Sequence, residues 1–140
     1  MRGIVHRALL VSFWLAALGC MQTPSSPDTG ARAAAQVFYD SLLQQDWTRA
    51  YDQLHGDCRG RWSRDQFTRL ARAYRQALGF EPAAVHLRTC EEQGETATVR
   101  LAWSGSAAGR PREFKDAVVL RRSATGWGVI LPAQFGQSRS

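Results

Sequence analysis

The sequence predicts an α+β fold in which three N-terminal helices pack on a curved four-stranded antiparallel sheet, behind a leader and a short tether. Three observations predict it. Apolar residues recur at helical spacing as far as Leu78, and from Val85 onward they alternate. The period changes once, after Glu81-Pro82. The alternating runs are joined by short connections, which makes a meander with one face free to cover helices.

The chain opens on Arg2 and Arg7, and Ala8 to Gly19 then carry no charge. That run is too short for a spanning helix, which needs roughly 20 apolar residues. A basic start, a short apolar run and small residues at its end describe a secretory signal peptide over residues 1–19. Ala16-Ala17-Leu18-Gly19-Cys20 resembles the lipobox of bacterial lipoproteins, although that motif most often has Leu where Ala17 stands. The resemblance implies cleavage before Cys20, lipid on Cys20, and a cell-envelope protein whose first partner is a membrane. Met21, where an Asp would retain the protein at the inner membrane, resembles the class sorted to the outer membrane facing the periplasm. The alternative is an ordinary signal peptide with an incidental Cys20.

Residues 20–30 hold the lipid-bearing cysteine and a tether. Met21 to Gly30 contain two prolines and four Ser/Thr residues, cannot bury a core, and reach roughly 30 Å when extended. Residues 31–135 suit one domain and are too few for two. Residues 136–140 are expected to form a disordered tail.

The formal charge is +6, or +4 without Arg2 and Arg7, and Lys115 is the single lysine among 18 basic residues. This excess could favour polyanions, but no nucleic-acid motif accompanies it, so nucleic acid is not expected as a partner. Besides Cys20 the cysteines are Cys58 and Cys90. An exported chain meets an oxidising compartment, so these two are expected to form a disulfide contributing roughly 3–4 kcal/mol. Two separate thiols are the alternative.

The first helix is expected from Ala31 to Gln44, with Ala31, Ala35, Phe38 and Leu42 on its apolar stripe. The second runs from Trp47 to Leu54 behind an Asp46 cap. The third has the best local signals. Ser63 and Gln66 make a capping box, Trp62 and Phe67 a staple, and Phe67, Leu70, Ala71, Tyr74 and Leu78 a stripe that stops at Gly79. Arg64, Arg72 and Arg75 lie beside that stripe and form the most concentrated basic surface of the chain.

Val85, Leu87 and Thr89 are expected on one face of the first strand, with His86, Arg88 and Cys90 on the other. Gln93-Gly94 turns into Ala97, Val99, Leu101 and Trp103. Gly105 to Pro111 reads as a loop. The third strand holds Phe114, Asp116, Val118 and Leu120 on one face, and Ser123 to Gly126 turn into Trp127, Val129 and Leu131.

Ala35 to Leu54, with its Phe38-Tyr39 pair, Asp46-Trp47 and Ala50-Tyr51-x-x-Leu54, is similar to the first two helices of the nuclear transport factor 2-like superfamily. Leu120-Arg121-Arg122 and Gly126 to Val129 look like its last hairpin. The resemblance implies a cystatin-like cone of helices on a curved sheet. That fold hosts both enzymes and binding modules, so function has to be argued from a site.

An enzyme of this fold places acid–base groups inside the cone, and the candidates here are Asp116, Tyr39, Tyr51 and His86. Asp116 stands out because it shares its strand face with apolar residues, where desolvation would raise a carboxyl pKa as a general base requires. His86 shares a face with Arg88, which implies exposure. No His or Cys spacing suggests a metal, and no motif suggests a cofactor. The leading expectation is a non-enzymatic accessory lipoprotein binding a small hydrophobic ligand or another envelope protein. The rival is a small cone-fold enzyme of isomerase, cyclase or dehydratase type acting on a hydrophobic substrate.

Overall fold

The computed structural model describes residues 27–137. The signal peptide, Cys20, most of the tether and the last three residues of the tail lie outside the described residues. Among the described residues four helices precede the sheet: α1 (Ala31–Leu43), α2 (Trp47–Asp52), α3 (Gly56–Arg61) and α4 (Arg64–Gln76). The strands are β1 (Glu81–Gln93), β2 (Thr96–Ala107), β3 (Arg110–Ser123) and β4 (Gly126–Ile130), paired antiparallel in sequence order. No helix among the described residues is long and apolar enough to cross a membrane.

The capping box at α4 forms as expected. The Gln66 N–H donates to Ser63 Oγ at 3.2 Å, and the Ser63 N–H donates to Gln66 Oε1 at 2.9 Å. Asp46 caps α2 by accepting the Arg49 N–H. The expected second helix stops at Asp52, because Leu54 leaves it to form a parallel bridge with Val129 of β4. The His55 N–H donates to the Val129 carbonyl at 2.9 Å, and the Val129 N–H to the Gln53 carbonyl at 2.8 Å. Gly128 permits this approach, since a Cβ there would lie 2.6 Å from His55 Cα.

Four readings from sequence are corrected. A further helix, α3, lies between the second and third expected ones and turns Cys58 inward. The expected loop at Gly105 to Pro111 is a long hairpin, closed at Ala108 and Gly109, whose positive φ angles of 49° and 73° suit a type I′ turn.

The face assignment on β1 holds only as far as Leu87. A bulge between Leu87 and Thr89 shifts the alternation by one residue, so Cys90 and Glu92 point inward opposite Val99 and Ala97. Arg32 of α1 donates to the exposed carbonyls of Leu87 and Arg88 there, at 3.4 Å each.

The disulfide is the fourth correction: Cys58 and Cys90 are both free. Cys58 sits on α3 against the chain just past β4, where its sulfur accepts the Leu131 N–H at 3.3 Å. Cys90 is on β1, at the opposite edge of the sheet. Burial, then the charge of Glu92, push the Cys90 thiol pKa up, so it resists ionisation.

The core lies between the helices and the inner sheet face. Phe38, Leu42, Phe67, Val99, Leu101, Trp103, Leu120 and Val129 are fully buried or nearly so. After β4 the chain turns back under α4 and inserts Phe135, which stacks on Tyr74 (4.9 Å) and Phe67 (6.2 Å). Gly136 follows in a left-handed conformation, so close to Leu70 that a Cβ would meet its carbonyl oxygen at 2.2 Å. The start of the expected free tail is therefore packed.

Candidate functional site

Asp116 occupies the inner face of β3, as its alternation with Phe114 and Val118 predicts, opposite Leu101 of β2. Its Oδ2 accepts the Tyr74 hydroxyl at 2.7 Å, and Tyr74 in turn accepts the Trp103 indole N–H at 3.0 Å. Its Oδ1 accepts the Ala117 N–H at 2.8 Å. Tyr39 of α1 packs edge-on against Trp103 at 5.9 Å, nearly buried. Burial, and then the Asp116 charge, raise the Tyr39 pKa. Burial likewise raises that of Tyr74, helped by Tyr39 and Asp116. Both phenols therefore stay protonated, and Tyr74 is fixed as a donor to the carboxylate. The result is an indole–phenol–carboxylate chain roofed by Phe135.

The other candidates go elsewhere. The Tyr51 hydroxyl donates to the Trp62 carbonyl at 2.8 Å, tying α2 to the end of α3, and its ring lies under the Arg64 guanidinium. His86 is exposed on the outer sheet face. No group of three His, Cys, Asp or Glu residues able to hold a metal occurs among the described residues.

The basic surface of α4 is dispersed into contacts with its neighbours. Arg64 pairs with Asp52 of α2 at 2.7 Å, and Arg72 lies over the Trp47 ring at 6.0 Å. Arg75 turns inward, donating to Glu81 at 3.0 Å and, more weakly, to the Leu43 carbonyl at 3.5 Å. Its Nε is buried and has no hydrogen-bond partner among the described residues, an arrangement that ordinarily costs about 1–3 kcal/mol. Arg72, Arg75, Trp47 and Phe80 border a cleft of about 330 Å³ with Gln45 and Gln76. A second depression of about 620 Å³ over β2 and β3 is bordered by Arg88, Arg100, Glu113, Lys115 and also by Asp116. Neither opens onto Tyr74.

Sequence reasoning missed a second polar constellation, where the chain enters the domain. Helix α1 has no side-chain cap of its own, and Glu92 of β1 supplies one from across the fold. Its Oε1 accepts the N–H groups of Thr29 (2.9 Å) and Ala31 (3.3 Å), and its Oε2 accepts the Thr29 hydroxyl (2.8 Å). A carboxylate at a helix N-terminus is favoured by the helix dipole as well. The Thr29 oxygen also accepts from Trp127 Nε1 at 3.0 Å and from Arg122, whose guanidinium lies over the Trp127 ring. Burial alone would raise the Glu92 pKa, but the bonds from Thr29 and Ala31, with the Arg122 charge, bring it below the ordinary value. Thr29 is thus clasped by β1, β3 and β4 together. The only trace of this in the sequence is a carboxylate where a core-facing residue is due, and the bulge hides it.

No protein-family model and no curated protein sequence matches the chain. Solved structures do. A SEC-C motif protein of Rhodopseudomonas palustris, RPA3114, is similar at TM-score 0.53 and 15% identity over 69% of this chain and 72% of the other. A candidate NTF2-like transpeptidase of Campylobacter jejuni is similar at TM-score 0.55 and 14% identity, over 72% of this chain and 97% of the other. The fold is NTF2-like. A candidate dehydratase of the NTF2-like family from Streptomyces avermitilis aligns over 74% of this chain and 93% of the other, with 14% identity and a TM-score of 0.47. At such identities the likeness speaks for the NTF2-like cone alone, and the chemistry in those names stays with those proteins.

Proposed function

We propose that the protein is an envelope lipoprotein, held on a membrane by lipid on Cys20, whose NTF2-like domain binds a ligand or partner without transforming it. In a host with two membranes it faces the periplasm from the outer membrane. One observation carries the non-catalytic reading: the cone interior, where an enzyme of this fold would work, is filled. Asp116 is committed to Tyr74, and Phe135 stacks on Tyr74 where a substrate would need to lie. A general base needs its substrate proton within about 3 Å, or one water away. A half-buried carboxylate already bonded to the Tyr74 hydroxyl and the Ala117 N–H serves the fold.

The rival enzyme reading keeps one observation in its favour, the convergence of Asp116, Tyr74, Trp103 and Tyr39 on one inner face. Two measurements decide. Cys20→Ser is expected to move the protein from the membrane to the soluble fraction and to abolish acyl labelling; retention on the membrane would refute the anchor. A strain carrying Asp116→Asn is expected to match its parent in detergent tolerance and growth. If it instead matches a strain lacking the whole gene, while the variant protein stays folded, the enzyme reading replaces this one.

A further inference from the structure

The cleft at the far end of α1 brings two aromatic side chains beside two arginines. Its two walls are aromatic, Trp47 at the start of α2 and Phe80 just before β1. Its charged border belongs to α4, where Arg72 and Arg75 stand one turn apart. Arg72 is exposed and makes no ion pair among the described residues. The Arg75 side chain keeps only 14% of its surface, and its single carboxylate partner, Glu81, is 78% exposed. Two guanidinium groups thus face one exposed carboxylate, leaving a net positive charge beside two aromatic side chains.

Arg75 is also short of partners. Its Nη2 is divided between Glu81 and a distant Leu43 carbonyl, and its Nε meets nothing among the described residues. A guanidinium binds a carboxylate best as a fork of two parallel N–H donors. A carboxylate taking the place of Glu81 would meet Arg75 Nη2, with Arg72 closing from the solvent side. The cleft volume of about 330 Å³ is at the lower end of small-molecule sites. The amides of Gln45 and Gln76 add neutral donors and acceptors at the rim.

We propose that this cleft binds a small organic carboxylate with a flat apolar body, the carboxylate between Arg72 and Arg75 and the body between Trp47 and Phe80. The proposal rests on the binding-module reading and gives it a site and a ligand class. Glu81 acts as the built-in competitor that the ligand displaces.

The test uses the full chain in detergent micelles, labelled with [15N]tryptophan and titrated with 2-naphthoate. The Trp47 indole resonance is expected to shift saturably while that of Trp103, inside the cone, stays still. Arg72→Gln, at an exposed position, is expected to weaken binding about tenfold, and the neutral 2-naphthamide to bind weaker by a similar factor. Glu81→Gln removes the competitor and is expected to tighten binding by about threefold. An affinity unmoved by either substitution, or naphthamide binding as well as naphthoate, overturns the proposal. So does the lack of any saturable shift, which leaves the closed-cone reading to be judged by Asp116→Asn. Movement of Trp103 in place of Trp47 puts the ligand in the cone, and then both readings fail.

Discussion

Tyr74 holds its place by two bonds, giving its proton to Asp116 and taking one from Trp103. Removing the hydroxyl strands the indole N–H of a side chain with no exposed surface. Tyr74→Phe is therefore expected to lower the unfolding free energy by about 2 kcal/mol, read by urea denaturation. Glu92 yields a prediction in pH. Its folded pKa lies below the 4.5 of the free group, so its contribution to stability is complete above that value. It is lost as pH falls through the folded pKa. Thermal unfolding between pH 7 and pH 3 should show Glu92→Gln less stable than the parent at neutral pH, with the gap closing on acidification. A gap of constant width would show that the clasp does not depend on the charge.

Among the elements, α4 was legible with its start and its stripe, because capping box and periodicity are local signals read within a few residues. The helix α3 was not, since Gly-Asp-Cys-Arg-Gly-Arg carries two glycines and one inward side chain, too little for a stripe. The β1 bulge was illegible for another reason: alternation runs on smoothly in the sequence, and only the register against β2 reveals the skipped residue. The candidate site divides the same way. Asp116 was found from its own strand, but its partner Tyr74 lies 42 residues away in a stripe that reads as core. Gly128 matters at this scale because it lets the segment after α2 join the edge of β4. Gly128→Ala meets His55 backbone, which has no rotamer to change, and is expected to cost about 2–3 kcal/mol by chemical denaturation. A variant within error of the parent would mean the bridge relaxes freely.

The whole molecule is closed by its last described residues. Phe135 joins Trp62, Phe67 and Tyr74, contributed by the α3–α4 junction and by α4, after the sheet is complete. The cone is thus sealed by a segment that belongs to neither its helices nor its strands. Phe135→Ala is expected to lower stability by about 3–4 kcal/mol, read by chemical denaturation. Recovery of that loss by an added aromatic compound would show that the vacated space is a usable chamber; no recovery would show that the cone collapses. The chemistry of the surface was the least legible part. The grouping of Arg72 and Arg75 follows from helix spacing, but Trp47 reaches them only through the packing of α2 against α4, and Phe80 through the short link from α4 to β1.

The Thr29 clasp fixes the end of the domain at which the chain enters it. It grips the sheet at the end where β1 runs out and the β3–β4 hairpin turns. Both α1 and β1 stretch from that end to the other, α1 over about 20 Å for its 13 residues and β1 over about 40 Å. The cleft bordered by Trp47, Phe80 and Glu81 opens where they arrive. Were Cys20 to carry lipid as proposed, only nine residues, Met21 to Thr29, would separate the clasped pole from the membrane. The opposite pole, with its two arginines, would then stand outward, where a dissolved anion meets it before it meets the membrane.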